Sequence, residues 1–139
     1  KSSVLRKYLS RLKGDDFLRI EENGYLNGLV DLIFRTNEKY YIVDWKSNIL
    51  GGFPEGFGHS EIEKEMFSHH YVLQYHLYVL ATHLFLSGRM EDYSYERNFG
   101  GVYYLFVRGM KVGTGQGIYF DLPDFETIQA MENFLVPKT

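Results

Sequence analysis

Two aspartates and a lysine interrupt segments of the sequence that are otherwise strongly apolar. Asp31 lies within the apolar run of residues 29–33, and Asp44 lies within the run of residues 41–45, with Lys46 shortly after it. A carboxylate in an apolar strand is costly unless a cation compensates it, and a metal ion together with a lysine can do so. Magnesium held by carboxylates neutralises phosphate oxygens and generates hydroxide near neutral pH. The pattern therefore predicts a magnesium-dependent nuclease site.

The role of Lys46 in such a site is left open by the sequence. Its ammonium group could orient the attacking water, the side chain could help to deprotonate that water, or the positive charge could stabilise the developing negative charge. The alternative interpretation is that Asp44 and Lys46 form an ion pair on an exposed sheet edge, since the D-x-K spacing is common by chance. The apolar runs around both acids favour the site.

The elements that would position these residues follow from side-chain alternation. The period-two pattern predicts a strand over residues 25–34 and another over 40–46, joined by a turn at residues 36–38. Alternation places Asp44 and Lys46 on the same face of the second strand. A β-hairpin would therefore bring two carboxylates and an amine together at one strand end.

The remaining elements surround this hairpin. They are a helix over 3–13, a strand over 17–21, a mobile glycine-rich loop over 49–60, a helical region over 60–87 that runs through or breaks near residue 68, a buried strand over 101–107, a flexible turn over 109–117, a strand over 118–120 and a closing helix that starts with Pro123. Ser60 and Glu63 have the spacing of a capping box at the start of the helical region. The closing helix has the apolar stripe Phe125, Ile128, Met131, Phe134 and Leu135.

Composition limits the class of protein. The chain of 139 residues is 45% hydrophobic and 17% aromatic, which predicts one ordered domain over residues 1–139. It has no cysteine and no apolar run of the roughly 20 residues that a membrane span needs, so we expect a soluble, cytoplasmic protein. The net charge of −3 argues against a free-standing nucleic-acid binder. Metal ions and neighbouring domains would have to manage the DNA phosphates.

Four segments resemble the nuclease domain of the RecB family, within the PD-(D/E)XK superfamily. They are residues 28–31 (GLVD), 43–48 (VDWKSN), 74–78 (QYHLY) and 98–109 (NFGGVYYLFVRG), and the resemblance covers about residues 25–120. It implies an α/β fold of the restriction-endonuclease type, with a mixed central sheet flanked by helices. It also implies a metal-dependent deoxyribonuclease of the exodeoxyribonuclease V type, in a helicase–nuclease that acts in double-strand break repair and recombination. The implied partners are single-stranded DNA ends delivered by the helicase, RecC-like and RecD-like subunits, and a recombinase.

The resemblance also assigns roles to individual residues. The metal ligands would be Asp31, Asp44 and the backbone carbonyl of Trp45, and Lys46 would be the catalytic lysine. Gln74 and Tyr78 would complete the catalytic set, because a spacing of four puts both on one helix face, within reach of the strand end and the DNA backbone. For Tyr78 core packing is the alternative. His70, four residues before Gln74, and Asn48 are further candidates for DNA binding.

One feature of the family is missing before the strands. The family has a histidine or glutamate ligand on an upstream helix, but no histidine precedes Gly28. The five histidines are His59, His69, His70, His76 and His83. His69, His76 and His83 recur every seven residues. We interpret them as polar-face or packing residues, because zinc ligands on a helix favour a spacing of four.

We therefore expect a fragment that lacks the upstream helices of the domain and has an incomplete magnesium site. Such a fragment would bind the metal weakly or not at all. An alternative function follows from the same observation. The fold could be a catalytically incomplete module that serves protein–protein docking within the repair complex.

Overall fold

The computed structural model describes residues 4–11, 28–51 and 55–136, and the structural statements below concern these ranges. The four strands of its sheet are β1 (Leu32–Thr36), β2 (Lys39–Lys46), β3 (Phe99–Phe106) and β4 (Ile118–Asp121). The helices are α1 (Val4–Leu9), α2 (His59–Ser68), α3 (Tyr71–Ser87), α4 (Tyr95–Asn98) and α5 (Phe125–Leu135), with a short 3-10 helix at Glu55–Phe57. The sheet order is β1-β2-β3-β4, and only the central pair is parallel. The predicted mixed α/β fold is confirmed.

The β1–β2 hairpin brings Asp31 next to β2. Its turn residues Asn37 and Glu38 both have positive φ, at 48° and 64°, as the tight turns of right-twisted hairpins require. The register pairs Leu32 with Val43, so Asp31, one residue before β1, lies at the level of Asp44.

The predicted strand over residues 25–34 differs from the observed one. Residues 28–30 have no regular secondary structure, and β1 begins only at Leu32. The Asp31 side chain binds a backbone amide of β2, and this contact replaces ladder pairing at that position. Residues 25–27 and the predicted strand over 17–21 lie outside the described ranges.

The parallel pairing of β2 with β3 decides where the site lies. Parallel strands need a long crossover connection, and α2 and α3 provide it. As a result, the C-terminal ends of β2 and β3 meet at the same edge of the sheet. The register shifts once, between Tyr40 and Tyr41. Gly101 pairs with Tyr41 at this shift. Its φ is 129°, and a Cβ there would clash with the Phe120 ring.

The hydrophobic core lies between the sheet and α3. Its fully buried side chains include Ile42, Val102, Tyr104 and Phe106 from the sheet and Val72, Tyr75 and Val79 from α3. Burying one such aliphatic or aromatic side chain contributes about 1.5–3 kcal/mol. The predicted buried strand over 101–107 is confirmed, with bounds of Phe99–Phe106. This packing fixes α3 against the sheet face that carries Asp44.

Two predictions about the helical region were tested. The break near residue 68 is confirmed, since α2 ends at Ser68 and His70 has a left-handed backbone that starts α3. The predicted capping box is wrong. Gly58 is the N-cap of α2 and no side chain caps it, so Ser60 already lies inside the helix.

The ends of the chain also differ in detail from prediction. The closing helix begins at Phe125 and is capped by Asp124, whose side chain accepts from the Thr127 amide, so Pro123 lies before the helix. Phe134 was predicted in the buried stripe but is 81% exposed. Within the ranges described, none of the helices combines the length and apolar composition that crossing a membrane requires.

The loop predicted over residues 49–60 is partly packed into the core. Leu50 and Phe57 are buried, and the Phe57 ring fills the space beside Gly109. The described part of this segment is therefore anchored, which contradicts the expectation of a mobile surface loop. Large apolar side chains next to glycines drive this packing, because glycine permits close approach.

Candidate functional site

Asp44 and Lys46 form a buried ion pair at the end of β2. The Asp44 side chain is 5% exposed, and its Oδ1 lies 2.5 Å from Nζ of Lys46. Within the described ranges, the same oxygen has no partner in hydrogen-bonding geometry. Burial raises the pKa of the Asp44 carboxyl, and the neighbouring Lys46 opposes that rise. A buried carboxylate whose described partner is one ammonium group still has lone pairs that a further cation could take.

Asp31 provides a second carboxylate next to the first. Its Oδ2 accepts a hydrogen bond from the Trp45 backbone amide at 2.9 Å. The negative charge of Asp31 also contributes to the raised pKa of Asp44. Because the N–H and C=O of one strand residue point to the same neighbour, the Trp45 carbonyl lies on the side of Asp31. The structure thus gathers all three predicted metal ligands.

Gln74 connects α3 to this pair. Its Oε1 accepts from Nζ of Lys46 at 3.3 Å and from the Tyr104 hydroxyl at 2.7 Å. Nζ of Lys46 also lies 4.1 Å from the ring centroid of Tyr71 and 5.0 Å from that of Tyr104. Carboxylate, amide oxygen and aromatic faces all attract a positive charge. The lysine is therefore held in one position by α3, β2 and β3 together.

Tyr78 both packs and faces the carboxylates. A Cβ at Gly28 would lie 2.8 Å from its ring, so the glycine is required for this close contact. The pKa of the Tyr78 hydroxyl is raised, first by burial and then by the negative charges of Asp44 and Asp31, whereas a hydrogen bond with Gln74 opposes the rise. Tyr78 therefore packs against Gly28 and also lies near the two carboxylates.

The two other DNA-binding candidates have protein partners. Asn48 Nδ2 donates to Glu65 Oε1 at 2.6 Å and to the Tyr71 hydroxyl at 3.2 Å. His70 Nδ1 lies 2.6 Å from the Tyr8 hydroxyl of α1. Asn48 thus ties the end of β2 to α2 and α3, and His70 ties the start of α3 to α1.

The donor set fits magnesium in part. Magnesium usually keeps several waters and takes one or two carboxylates, and Asp31 and Asp44 meet that requirement. The buried Asp44 Oδ1, whose partner among the described residues is the Lys46 ammonium group, is the observation that supports the fit. Across residues 4–11, 28–51 and 55–136, no group of three histidine or acidic side chains could hold a metal ion. His76 and His83 are buried packing residues, as expected.

Two tyrosines of the site were not predicted from the sequence. Tyr104 is paired with Asp44 in the parallel register, and Tyr71 lies under Lys46. A buried tyrosine hydroxyl needs a partner, so a tyrosine in an apolar strand was the available signal for Tyr104. The pairing of β2 with β3, which gives that signal its meaning, is not visible in the sequence.

A mixed sheet with helices around it and a carboxylate–lysine set at the end of a central strand defines a restriction-endonuclease-like α/β domain. No family model matches the chain. It is 43% identical over 109 residues to the RecBCD enzyme subunit RecB of Haemophilus influenzae, covering 78% of this chain and 9% of that protein. The same subunit of Escherichia coli is 41% identical over 125 residues, covering 89% of this chain and 10% of that protein. The subunit of Borreliella burgdorferi is 36% identical over 130 residues, covering 88% of this chain and 11% of that protein.

The chain therefore belongs to the RecB family. It spans about a tenth of the length of these curated relatives.

Proposed function

We propose that the chain is the nuclease domain of a RecB-type helicase–nuclease and hydrolyses DNA phosphodiester bonds with magnesium. The observation that carries this proposal is the buried Asp44–Lys46 pair, with the Asp31 carboxylate fixed beside it by the Trp45 amide. An exposed surface ion pair would not explain why a carboxylate is desolvated at the cost of a raised pKa. The relationship to RecB subunits supports the same assignment.

Three groups would hold the magnesium ion, namely the carboxylates of Asp31 and Asp44 and the carbonyl of Trp45. When bound, the ion supplies charge neutralisation at the phosphate and a water of lowered pKa. The proposed third side-chain ligand is the histidine or glutamate that the family carries upstream of the strands.

Lys46 would stabilise negative charge on the phosphate and orient the attacking water. Its ammonium group lies against the Asp44 carboxylate, the Gln74 side-chain oxygen and the Tyr71 ring, so it is held in one position next to the carboxylates. A charged lysine at this point therefore fits charge stabilisation better than proton abstraction. The Gln74 oxygen is already occupied by two donors, so its amide NH₂ group is the part that can donate towards Tyr78 or a DNA phosphate.

The partners and setting follow from the family and are proposals too. A motor would deliver single-stranded DNA ends to the site, in a complex with RecC-like and RecD-like subunits in the cytoplasm. The activity would serve double-strand break repair and recombination, with a recombinase as a further partner. A module kept only for docking would not need a buried carboxylate–lysine pair, since removing both groups would relieve their desolvation.

The deciding experiment measures magnesium-dependent degradation of linear DNA by the full-length polypeptide that carries this chain. We expect Asp44→Ala to lower the rate by about two orders of magnitude or more, because metal-held charge stabilisation contributes several kcal/mol. Asp92→Ala is the matched control, since Asp92 is exposed in the connector after α3. Unchanged degradation by the Asp44 variant would refute the proposed function.

A further inference from the structure

The connection between β3 and β4, residues 107–117, starts at the same sheet edge as the candidate site. The Val107 amide donates to the Lys46 carbonyl at 3.1 Å, which continues the ladder beyond β3. Arg108 Nε donates to the Ser47 carbonyl at 2.8 Å. This segment, called the β3–β4 loop below, is thus attached directly to the residues that follow Lys46.

The base of the β3–β4 loop is anchored and its tip is ordered by local hydrogen bonds. Gly109 packs against the buried ring of Phe57, and the Gly117 amide donates to the Phe57 carbonyl at 3.3 Å. At the tip, the amide and the hydroxyl of Thr114 both donate to the Lys111 carbonyl, at 3.2 Å and 2.8 Å. The loop therefore presents its side chains from a defined position next to the strand ends.

Arg108 and Lys111 are exposed cations without an acidic partner among the described residues. The lysine ion pairs of the described ranges are those of Lys7, Lys46 and Lys64. Arg108 uses Nε for the Ser47 carbonyl, which leaves the two terminal nitrogens of its guanidinium as a fork towards solvent. Such a fork matches two oxygens of one phosphate.

Local charge explains why a nuclease site would need these cations. Asp31 and Asp44 repel a polyanion, and the charge of Lys46 is already balanced by Asp44. The chain as a whole is also negative, with a net charge of −3. Most hydrogen bonds to DNA go to its phosphates and fix the position of the strand. Arg108, bound to the Ser47 carbonyl next to the site, and Lys111 on the same loop are the cations that could hold a strand there.

We propose that Arg108, assisted by Lys111, binds the phosphodiester backbone of the DNA strand next to the cleavage position. This inference rests on the proposed function, because it takes the same strand as its ligand. The β3–β4 loop would contribute affinity and register, whereas the carboxylates and Lys46 would carry out the chemistry.

The test compares binding of a fluorescent single-stranded oligonucleotide by the full 139-residue chain and its variants, with EDTA present so that no cleavage occurs. We expect Arg108→Gln to raise the dissociation constant about 5–10-fold and to lower the slope of log affinity against log salt by about 0.7, as for one lost phosphate contact. Lys111→Gln should act in the same direction. Arg108→Lys should keep the slope but lose affinity, because it keeps the charge and loses the fork.

Arg35→Gln is the matched control. Arg35 pairs with Tyr40 at the opposite end of the sheet, so this variant loses the same charge away from the site and should bind like the original chain. Circular dichroism melting checks that all variants fold alike. If Arg108→Gln and the original chain bind equally, including the case in which neither binds, the inference is overturned.

The same variants separate this inference from the proposed function. If binding depends on Arg108 but the full-length polypeptide degrades no DNA with magnesium, the phosphate site stands and the nuclease assignment falls. If magnesium-dependent degradation depends on Asp44 while the Arg108 variant binds normally, the nuclease assignment stands and the loop has no role in binding.

Discussion

At the scale of single residues, the position of Lys46 depends on groups from three different elements. Asp44 on β2, Gln74 on α3 and the ring of Tyr104 on β3 surround its ammonium group. Tyr104 is fully buried, and its hydroxyl donates to the Gln74 oxygen that also accepts from Lys46. Tyr104 therefore fixes the orientation of the Gln74 amide, and we propose that it acts on the site through Gln74.

The change Tyr104→Phe removes only this hydroxyl. We expect the rate of magnesium-dependent DNA degradation by the full-length polypeptide to fall about tenfold, as is usual for the loss of a group that supports a metal site. The stability of the chain should fall by about 1 kcal/mol, because one buried hydrogen bond is lost. Single-turnover cleavage and urea denaturation measure the two effects.

The neighbouring Tyr103 offers a matched control. It lies on the opposite face of β3 and is only half-buried. The change Tyr103→Phe should alter neither the rate nor the stability by a comparable amount. Equal effects of the two substitutions would show that the Tyr104 hydroxyl has no special role.

At the scale of elements, α3 contributes both core packing and candidate site residues along its length. Gln74 and Tyr78 lie on the side of the carboxylates, whereas Val72, Tyr75 and His76 are buried. Because so much of its surface is buried, α3 cannot shift without disrupting the core, and this fixes Gln74 relative to β2. His76 is buried by this packing, and its Nδ1 lies 2.7 Å from the Val72 carbonyl oxygen. Burial disfavours the charged form of its ring.

The stability of the chain should depend on pH through His76. Burial lowers the pKa of His76 from 6.5 to about 4. Between these values the unfolded state binds the proton and the folded state does not, so stability is lost as the pH falls. Between pH 6.5 and 4, the original chain should lose about 3 kcal/mol more of its free energy of unfolding than the His76→Gln variant does. Urea denaturation at several pH values measures the difference.

The comparison of variants isolates the histidine. Burial raises the pKa of the Asp44 and Asp121 carboxyls, which gives the opposite dependence on pH, but these groups are present in both proteins and cancel. His59→Gln is the control, because His59 is exposed at the start of α2. The explanation fails if the original chain and the His76 variant lose stability in parallel as the pH falls.

At the scale of the whole molecule, the topology joins two halves of a site. The hairpin carries the carboxylates and the lysine, the crossover carries Gln74 and Tyr71, and β3 closes the arrangement with Tyr104. The chain spans about a tenth of the length of its relatives. The described ranges hold two carboxylates at the site but no group of three suitable ligands.

Magnesium binding by Asp31, Asp44 and the Trp45 carbonyl should therefore be weak. In isothermal titration calorimetry we expect no saturation at millimolar magnesium, because two carboxylates and a carbonyl leave most of the coordination to water. Asp31→Asn should abolish the remaining signal. Tight binding by the 139-residue chain would contradict this expectation.

The sequence by itself predicted the candidate site residues and most of the local elements of this protein. Alternation and turn residues encode β2 and its turn, and a spacing of four places Gln74 and Tyr78 on one helix face, because these patterns depend only on near neighbours in the chain. The beginning of β1 was misplaced, since Asp31 satisfies a backbone amide of β2 with its side chain. Local patterns contain no information about such a contact.

Only the tertiary structure decided which distant residues join the site. Tyr104 lies against Lys46 and Arg108 binds the Ser47 carbonyl because β3 runs parallel to β2, and Phe57 is buried because Gly109 makes room for its ring. Which strands pair across a long crossover depends on burying the whole apolar face of the sheet. The few residues that face each other in the paired strands do not decide it. The sequence could therefore name the carboxylates and the lysine, whereas the groups that hold that lysine in place emerged only when the strands were assembled.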